Sequence, residues 1–139
     1  MDIVVQATEE INLFLQNIGE WFRSDVEGNK AGEAAILKNF HQDFIMITPG
    51  GLAVDFTGLS AWLPTVYGLK PDILIEVEDI KAHYVQADSV LMTYTELQYR
   101  EEGDNKRIAS ALFIRGEDGQ LKWHHLQETW SPVIEDQQD

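Results

Sequence analysis

Apolar residues recur at three- and four-residue steps along the first part of the chain: Ile3, Ala7, Ile11, Phe14, Leu15, Ile18, Trp21 and Phe22. That period predicts an amphipathic helix through about residue 23, with Asp2 as its cap and Glu9 and Glu10 toward its dipole-positive early part. Residues 24–29 are turn-forming, and Ala34, Ala35, Leu37 and Phe40 predict a second, shorter helix over residues 30–39. The period then shortens. Residues 44–47 read as a strand, Thr48-Pro49-Gly50-Gly51 as a turn, and residues 52–56 as the returning strand of a small hairpin. Thr57 or Ser60 starts a third helix carrying Leu59, Trp62, Leu63 and Val66, which Gly68 stops and Pro71 keeps from resuming. From Asp72 onward the pattern is that of strands, over residues 73–86, 90–101, 107–115 and 121–133. Three tight connections between four long strands describe an antiparallel meander. No linker or repeat interrupts the pattern, so residues 1–139 form one domain, with an acidic, frayed tail from about 134.

This order (α-α-β-β-α-β-β-β-β) resembles the nuclear transport factor 2 superfamily, which includes ketosteroid isomerase, the SnoaL-like cyclases and the calmodulin-dependent kinase II association domain. Phe44-Ile45-Met46-Ile47-Thr48-Pro49-Gly50-Gly51 is similar to the first hairpin of that superfamily, and Gly58-Leu59-Ser60-Ala61-Trp62-Leu63 to the short helix after it. Asp118-Gly119-Gln120-Leu121-Lys122-Trp123-His124-His125-Leu126-Gln127-Glu128-Thr129 resembles its ending, a turn followed by Trp and a His-x-His-x-Ser strand. The resemblance implies an α+β cone, three N-terminal helices on a strongly curved antiparallel sheet, with a ligand between the concave face and the helices. Two departures stand out. Gln127 occupies the place of the second His, and Thr48 precedes the hairpin proline where ketosteroid isomerase has its general-base aspartate.

Side chains two apart on a strand share a face. Tyr94, Glu96 and Gln98 form one such polar row, and His125, Gln127 and Thr129 another. With both rows inward, Glu96 and His125 make a candidate acid/base pair, and Tyr94, Gln98 and Gln127 hold ligand oxygens. Met46, Trp62, Tyr67 and Phe113 are candidates for the apolar lining, and Asp55 is the carboxylate nearest the place of the missing base. Trp123 and Trp130, seven apart, are expected on opposite faces, one in the core and the other open to a partner chain. No metal site is expected: adjacent His124 and His125 should point to opposite faces, and His41 and His83 have no companion at ligand spacing.

Composition narrows the partners. The net charge is −14, with 24 acidic residues against 10 Lys and Arg, which disfavours nucleic acid and anionic membranes. The chain has no cysteine, and therefore no disulfide or thiolate chemistry; a cytoplasmic location is expected, and no cofactor is called for. Two functions stand side by side. One is a homodimeric SnoaL-like domain that binds a small, hydrophobic, oxygenated molecule, with a cofactor-free isomerase, dehydratase or cyclase activity left open. The other is a non-catalytic interaction or oligomerisation module whose cone is filled by its own side chains.

Overall fold

The computed structural model describes residues 2–132; the acidic tail falls outside them. The elements run α1 (Ile3–Arg23), α2 (Lys30–Leu37), β1 (Phe40–Ile47), β2 (Ala53–Asp55), α3 (Phe56–Trp62), a 3-10 turn (Leu63–Val66), β3 (Leu74–Val85), β4 (Ser89–Tyr99), β5 (Asn105–Arg115) and β6 (Leu121–Ser131). The α+β class and the element order agree with the sequence reading. Asp2 caps α1 by accepting from the backbone N–H groups of Val4 and Val5, and Ser24 ends the helix in the left-handed conformation. Strand β1 begins at Phe40, earlier than expected, because Phe40 and Phe44 are drawn into the core and continue the extended chain.

The sheet order is β2-β1-β6-β5-β4-β3. The meander β3 to β6 is antiparallel, as is the β1–β2 hairpin, but β1 lies parallel to β6. The sheet is therefore mixed, not wholly antiparallel. Irregularities bend the sheet. In β3 the register shifts between Glu78 and Lys81, and Asp79 takes a φ of 56° there. Such bulges increase local twist, which is why apolar and polar residues of β3 fall on both parities.

Helix α1 lies across the concave face and buries Ile3, Ala7, Ile11, Leu15, Ile18 and Phe22. At one end of the cone Phe40 stacks on Trp123 with centroids 5.3 Å apart, Phe44 meets Phe40 at 4.9 Å, and Phe113 meets Trp123 at 4.5 Å. Each fully buried aromatic of this group contributes roughly 1.5–3 kcal/mol of transfer free energy. Trp21 ties the helix end to the chain after α3: its Nε1 donates to the Leu63 carbonyl at 2.8 Å, and its ring packs on Tyr67 at 4.8 Å. Among the described residues no helix is long and apolar enough to cross a membrane.

Candidate functional site

The concave face changes character along the strands. Near the start of β4, Val90 and Met92 face Phe113 and Ala111 of β5, and all four are fully buried. Further along, the same face of β4 carries Tyr94, Glu96 and Gln98, each under a tenth exposed. Glu96 lies opposite Arg107, which lies opposite Trp130 on β6; Tyr94 lies opposite Ala109, which lies opposite Glu128. Five polar side chains are joined in one continuous chain of hydrogen bonds. Gln98 Nε2 donates to Glu96 Oε2 at 2.7 Å, and Asn105 Nδ2 donates to Gln98 Oε1 at 3.2 Å. Arg107 Nη2 then donates to Asn105 Oδ1 at 3.0 Å, and its Nη1 to Glu128 Oε1 at 3.0 Å. The guanidinium also stacks on Trp130, 4.7 Å from the ring centroid.

The electrostatics follow from two acids and one base held away from water. Burial pushes the Glu128 carboxyl up to about 7, and the nearby Glu96 charge adds to this, while Arg107 pulls the other way. Burial also raises Glu96, against Arg107 and the Gln98 hydrogen bond. Tyr94 is raised well above the usual phenol range, first by burial and then by the charges of Glu96 and Glu128. Tyr94 Oη and Arg107 Nε are buried and have no hydrogen-bond partner among the described residues. Buried polar atoms are nearly always satisfied, and these two unused groups on one concave face depart from that rule.

The predicted row Tyr94, Glu96 and Gln98 does share this face. The row His125, Gln127 and Thr129 does not. Phe113 pairs with Trp123 and Leu112 with His125, which leaves His124 as an extra, unpaired residue in β6. This bulge reverses the alternation, so that Leu126 and Glu128 turn inward and Gln127 is exposed. His125 pairs with Leu112 and Ile45 on the convex face and is not across from Glu96. For the same reason Trp123 and Trp130 share the concave side: Trp123 is fully buried, and Trp130 is 53% exposed at the mouth.

The other candidates divide. Met46 pairs with Leu126 and Val54 on the concave side, and Phe113 is part of the aromatic core. Trp62 packs edge-on against Phe22 at 6.0 Å. Tyr67 is held as a structural post, its hydroxyl donating to the Val26 carbonyl at 2.6 Å. Asp55 caps α3 by accepting from the Gly58 N–H at 2.8 Å, and Thr48 Oγ1 accepts from the Leu52 N–H at 3.1 Å within the hairpin turn. Arg107, Glu128 and Asn105 escaped the sequence reading. For Glu128 the strict two-residue alternation pointed the wrong way, and for Arg107 and Asn105 the only signal is their register opposite Glu96 and Gln98.

Two surface depressions lie away from this cluster: about 280 Å³ between α1 and β3, beside Asn12, Gln16, Arg23 and Val77, and about 580 Å³ beside His41, Arg115, Asp118 and His124. His41 does have a companion, since its ring stacks on that of His124 at 4.1 Å. Among the described residues no group of three or more His, Cys, Asp or Glu side chains is placed to hold a metal ion.

No family model matches the chain. It is 26% identical over 137 residues to probable sucrose-phosphatase 2 of Arabidopsis thaliana, a likeness that covers 91% of this chain but only 31% of that protein. The structure of an NTF-2 like protein of unknown function from Pseudomonas aeruginosa superimposes with a TM-score of 0.85 at 28% identity, covering 91% of this chain and 99% of that one. ActVI-ORFA from Streptomyces coelicolor superimposes with a TM-score of 0.61 at 16% identity, over 90% and 97% of the two chains. The cone of six strands closed by α1 is thus the nuclear-transport-factor-2-like fold, held in common with SnoaL-like and ketosteroid-isomerase-like structures.

Proposed function

We propose that this domain binds a small oxygenated molecule in the mouth of the cone, and that Glu128 and Glu96, grouped around Arg107, handle protons there. The observation that carries this reading is the pair of buried, unpartnered groups, Tyr94 Oη and Arg107 Nε, beside that carboxylate pair. A carboxyl that titrates at about 7 is close to half-protonated at neutral pH, the condition in which one group serves as both acid and base. The activity that suits it is cofactor-free proton transfer, as in an isomerisation, dehydration or cyclisation. Arg107 and Tyr94 would hold a developing negative charge on a ligand oxygen. His125 and Gln127, on the convex face, have no part in this scheme.

A crystal structure of protein purified without added ligand, together with native mass spectrometry of the same preparation, tests the reading. Density or mass for a small molecule against Tyr94 and Arg107, lost in Glu128→Gln or Tyr94→Phe, is the expected result. A cone sealed by its own side chains, with both variants indistinguishable from the parent, sinks it and favours the alternative, a non-catalytic interaction module.

The same proposal includes a homodimer formed through the convex face, where Ile45 and Ile108 are 37% and 47% exposed. Light scattering on the purified chain tests this part, and a monomer at all concentrations overturns it. The likeness to one third of a probable sucrose-phosphatase supports a module that also occurs joined to other domains. That protein's activity is not carried over.

A further inference from the structure

Strand β3 is the outermost strand of the sheet, and among the described residues it pairs with β4 alone. Alternate backbone N–H and C=O groups along its other edge therefore have no strand to bond. Residues 74–78 keep a regular register with β4, and beyond them the bulge at Asp79 interrupts the edge. Helix α1 runs beside this stretch in the opposite direction: Arg23 Nη1 donates to the Ile73 carbonyl at 3.0 Å, and a Cβ added at Gly19 would lie 3.8 Å from Ile75 Cδ1. The depression of about 280 Å³ lies between the two elements, over the apolar Leu15, Ile75 and Val77. Asn12 and Gln16, one turn apart and exposed, form its helical rim. Their amide nitrogens are engaged by the Thr8 carbonyl at 3.1 Å and Glu20 Oε2 at 3.3 Å, so their oxygens remain as acceptors.

A groove between an edge strand and a helix receives an extended segment as an added strand, with affinity from backbone bonds and selectivity from alternate side chains. The volume here lies below the roughly 300–1,000 Å³ usual for small-molecule pockets, and suits a few side chains better than a whole ligand. Side chains of an added strand on the concave side would enter the depression over Ile75 and Val77. Those on the convex side would stand beside Glu76 and Glu78, both exposed. Asp79 adds a third acid close by, and the whole chain carries a net charge of −14. The convex row of the added strand is therefore matched by Lys or Arg. A second copy of β3 fits poorly: antiparallel pairing centred on Val77 sets Glu76 opposite Glu78, and like charges directly opposed are destabilising.

We propose that the β3 edge over residues 74–78 docks an extended, basic segment of another protein, in which small apolar residues alternate with Lys or Arg. This surface is separate from the mouth of the cone and independent of what the cone holds. The test is an NMR titration of the full, ¹⁵N-labelled chain with three hexapeptides. One alternates Val and Lys, one alternates Val and Glu, and the third is the Val-Lys peptide with every backbone nitrogen methylated. The expected result is a saturable shift of the amides of residues 74–78 and of the Asn12 and Gln16 side chains with the Val-Lys peptide only. Hydrogen exchange at alternate amides of that stretch should slow as the peptide binds. Affinity should fall roughly tenfold or more in the double variant Glu76→Lys, Glu78→Lys, and likewise in Gln16→Trp, which fills the groove. All three positions are exposed, so both variants should keep the spectrum of a folded protein. Equal binding of the Val-Glu peptide overturns the basic partner, and equal binding of the methylated peptide overturns strand addition. Parent-like affinity in both variants, shifts confined to another surface, or no shift with any peptide overturns the site. Concentration-dependent shifts of residues 74–78 in the chain alone would assign the edge to a second copy and overturn the proposal.

Discussion

Trp123 Nε1 donates to Glu10 Oε2 across 3.0 Å, and so joins the middle of the first helix to the last strand. The other oxygen of the same carboxylate accepts from Asn39 Nδ2 at 2.9 Å, just before β1. Three segments distant in sequence meet at one acid, whose pKa burial raises and these two hydrogen bonds lower.

Replacing Glu10 by Ala strands the Trp123 indole N–H, which belongs to a fully buried residue. The expected loss is about 1–3 kcal/mol of unfolding free energy, read from urea denaturation. Trp123→Phe alone should cost a similar amount, and the double variant less than the sum of the two, since both remove one interaction. Strict additivity would show that the contact does not contribute to stability.

The carboxyl of Glu128 sets a pH dependence whose sign is fixed. Its pKa in the folded chain is about 7 against a reference value of 4.5. Between those values the folded state keeps a proton that the unfolded chain has released, so stability falls as pH rises through that window. The decline should amount to about 2–3 kcal/mol for this single group. Thermal unfolding at pH 5 and pH 8 measures it. Glu128→Gln should flatten the dependence, and a variant as pH-sensitive as the parent would assign the effect to other groups.

Asp55 acts through α3. Asp55→Ala should destabilise the fold by about 1 kcal/mol, through loss of the cap to the Gly58 N–H, whereas Asp55→Asn should retain most of it. Neither variant should alter ligand binding in the cone. A binding defect in Asp55→Asn at unchanged stability would return this residue to the site.

Element type and order were legible because the sequence periods are strong. The eight apolar positions of α1 and the three polar turns between β3 and β6 leave little choice. The parallel seam of β1 against β6 was not legible, since local pattern says nothing about which distant edge a hairpin joins. At the site, Tyr94, Glu96 and Gln98 could be picked out because β4 is regular from end to end. Arg107 and Asn105 could not, because an isolated basic or amide residue on a strand looks like any solvated one until its cross-strand neighbour is known. Glu128 was hidden by a single residue, His124, which breaks the alternation that the reading relied on.

That extra residue also fixes which side chains the concave face carries. Taking His124 into the ladder as a paired residue would restore strict alternation and turn His125, Gln127 and Thr129 inward in place of Leu126, Glu128 and Trp130, whereas deleting it would leave the present pairing of Trp123 with Phe113 and His125 with Leu112 as it is. The bulge itself, rather than the identity of any one side chain, thus decides which reagent set the concave face carries beyond the core aromatic layer.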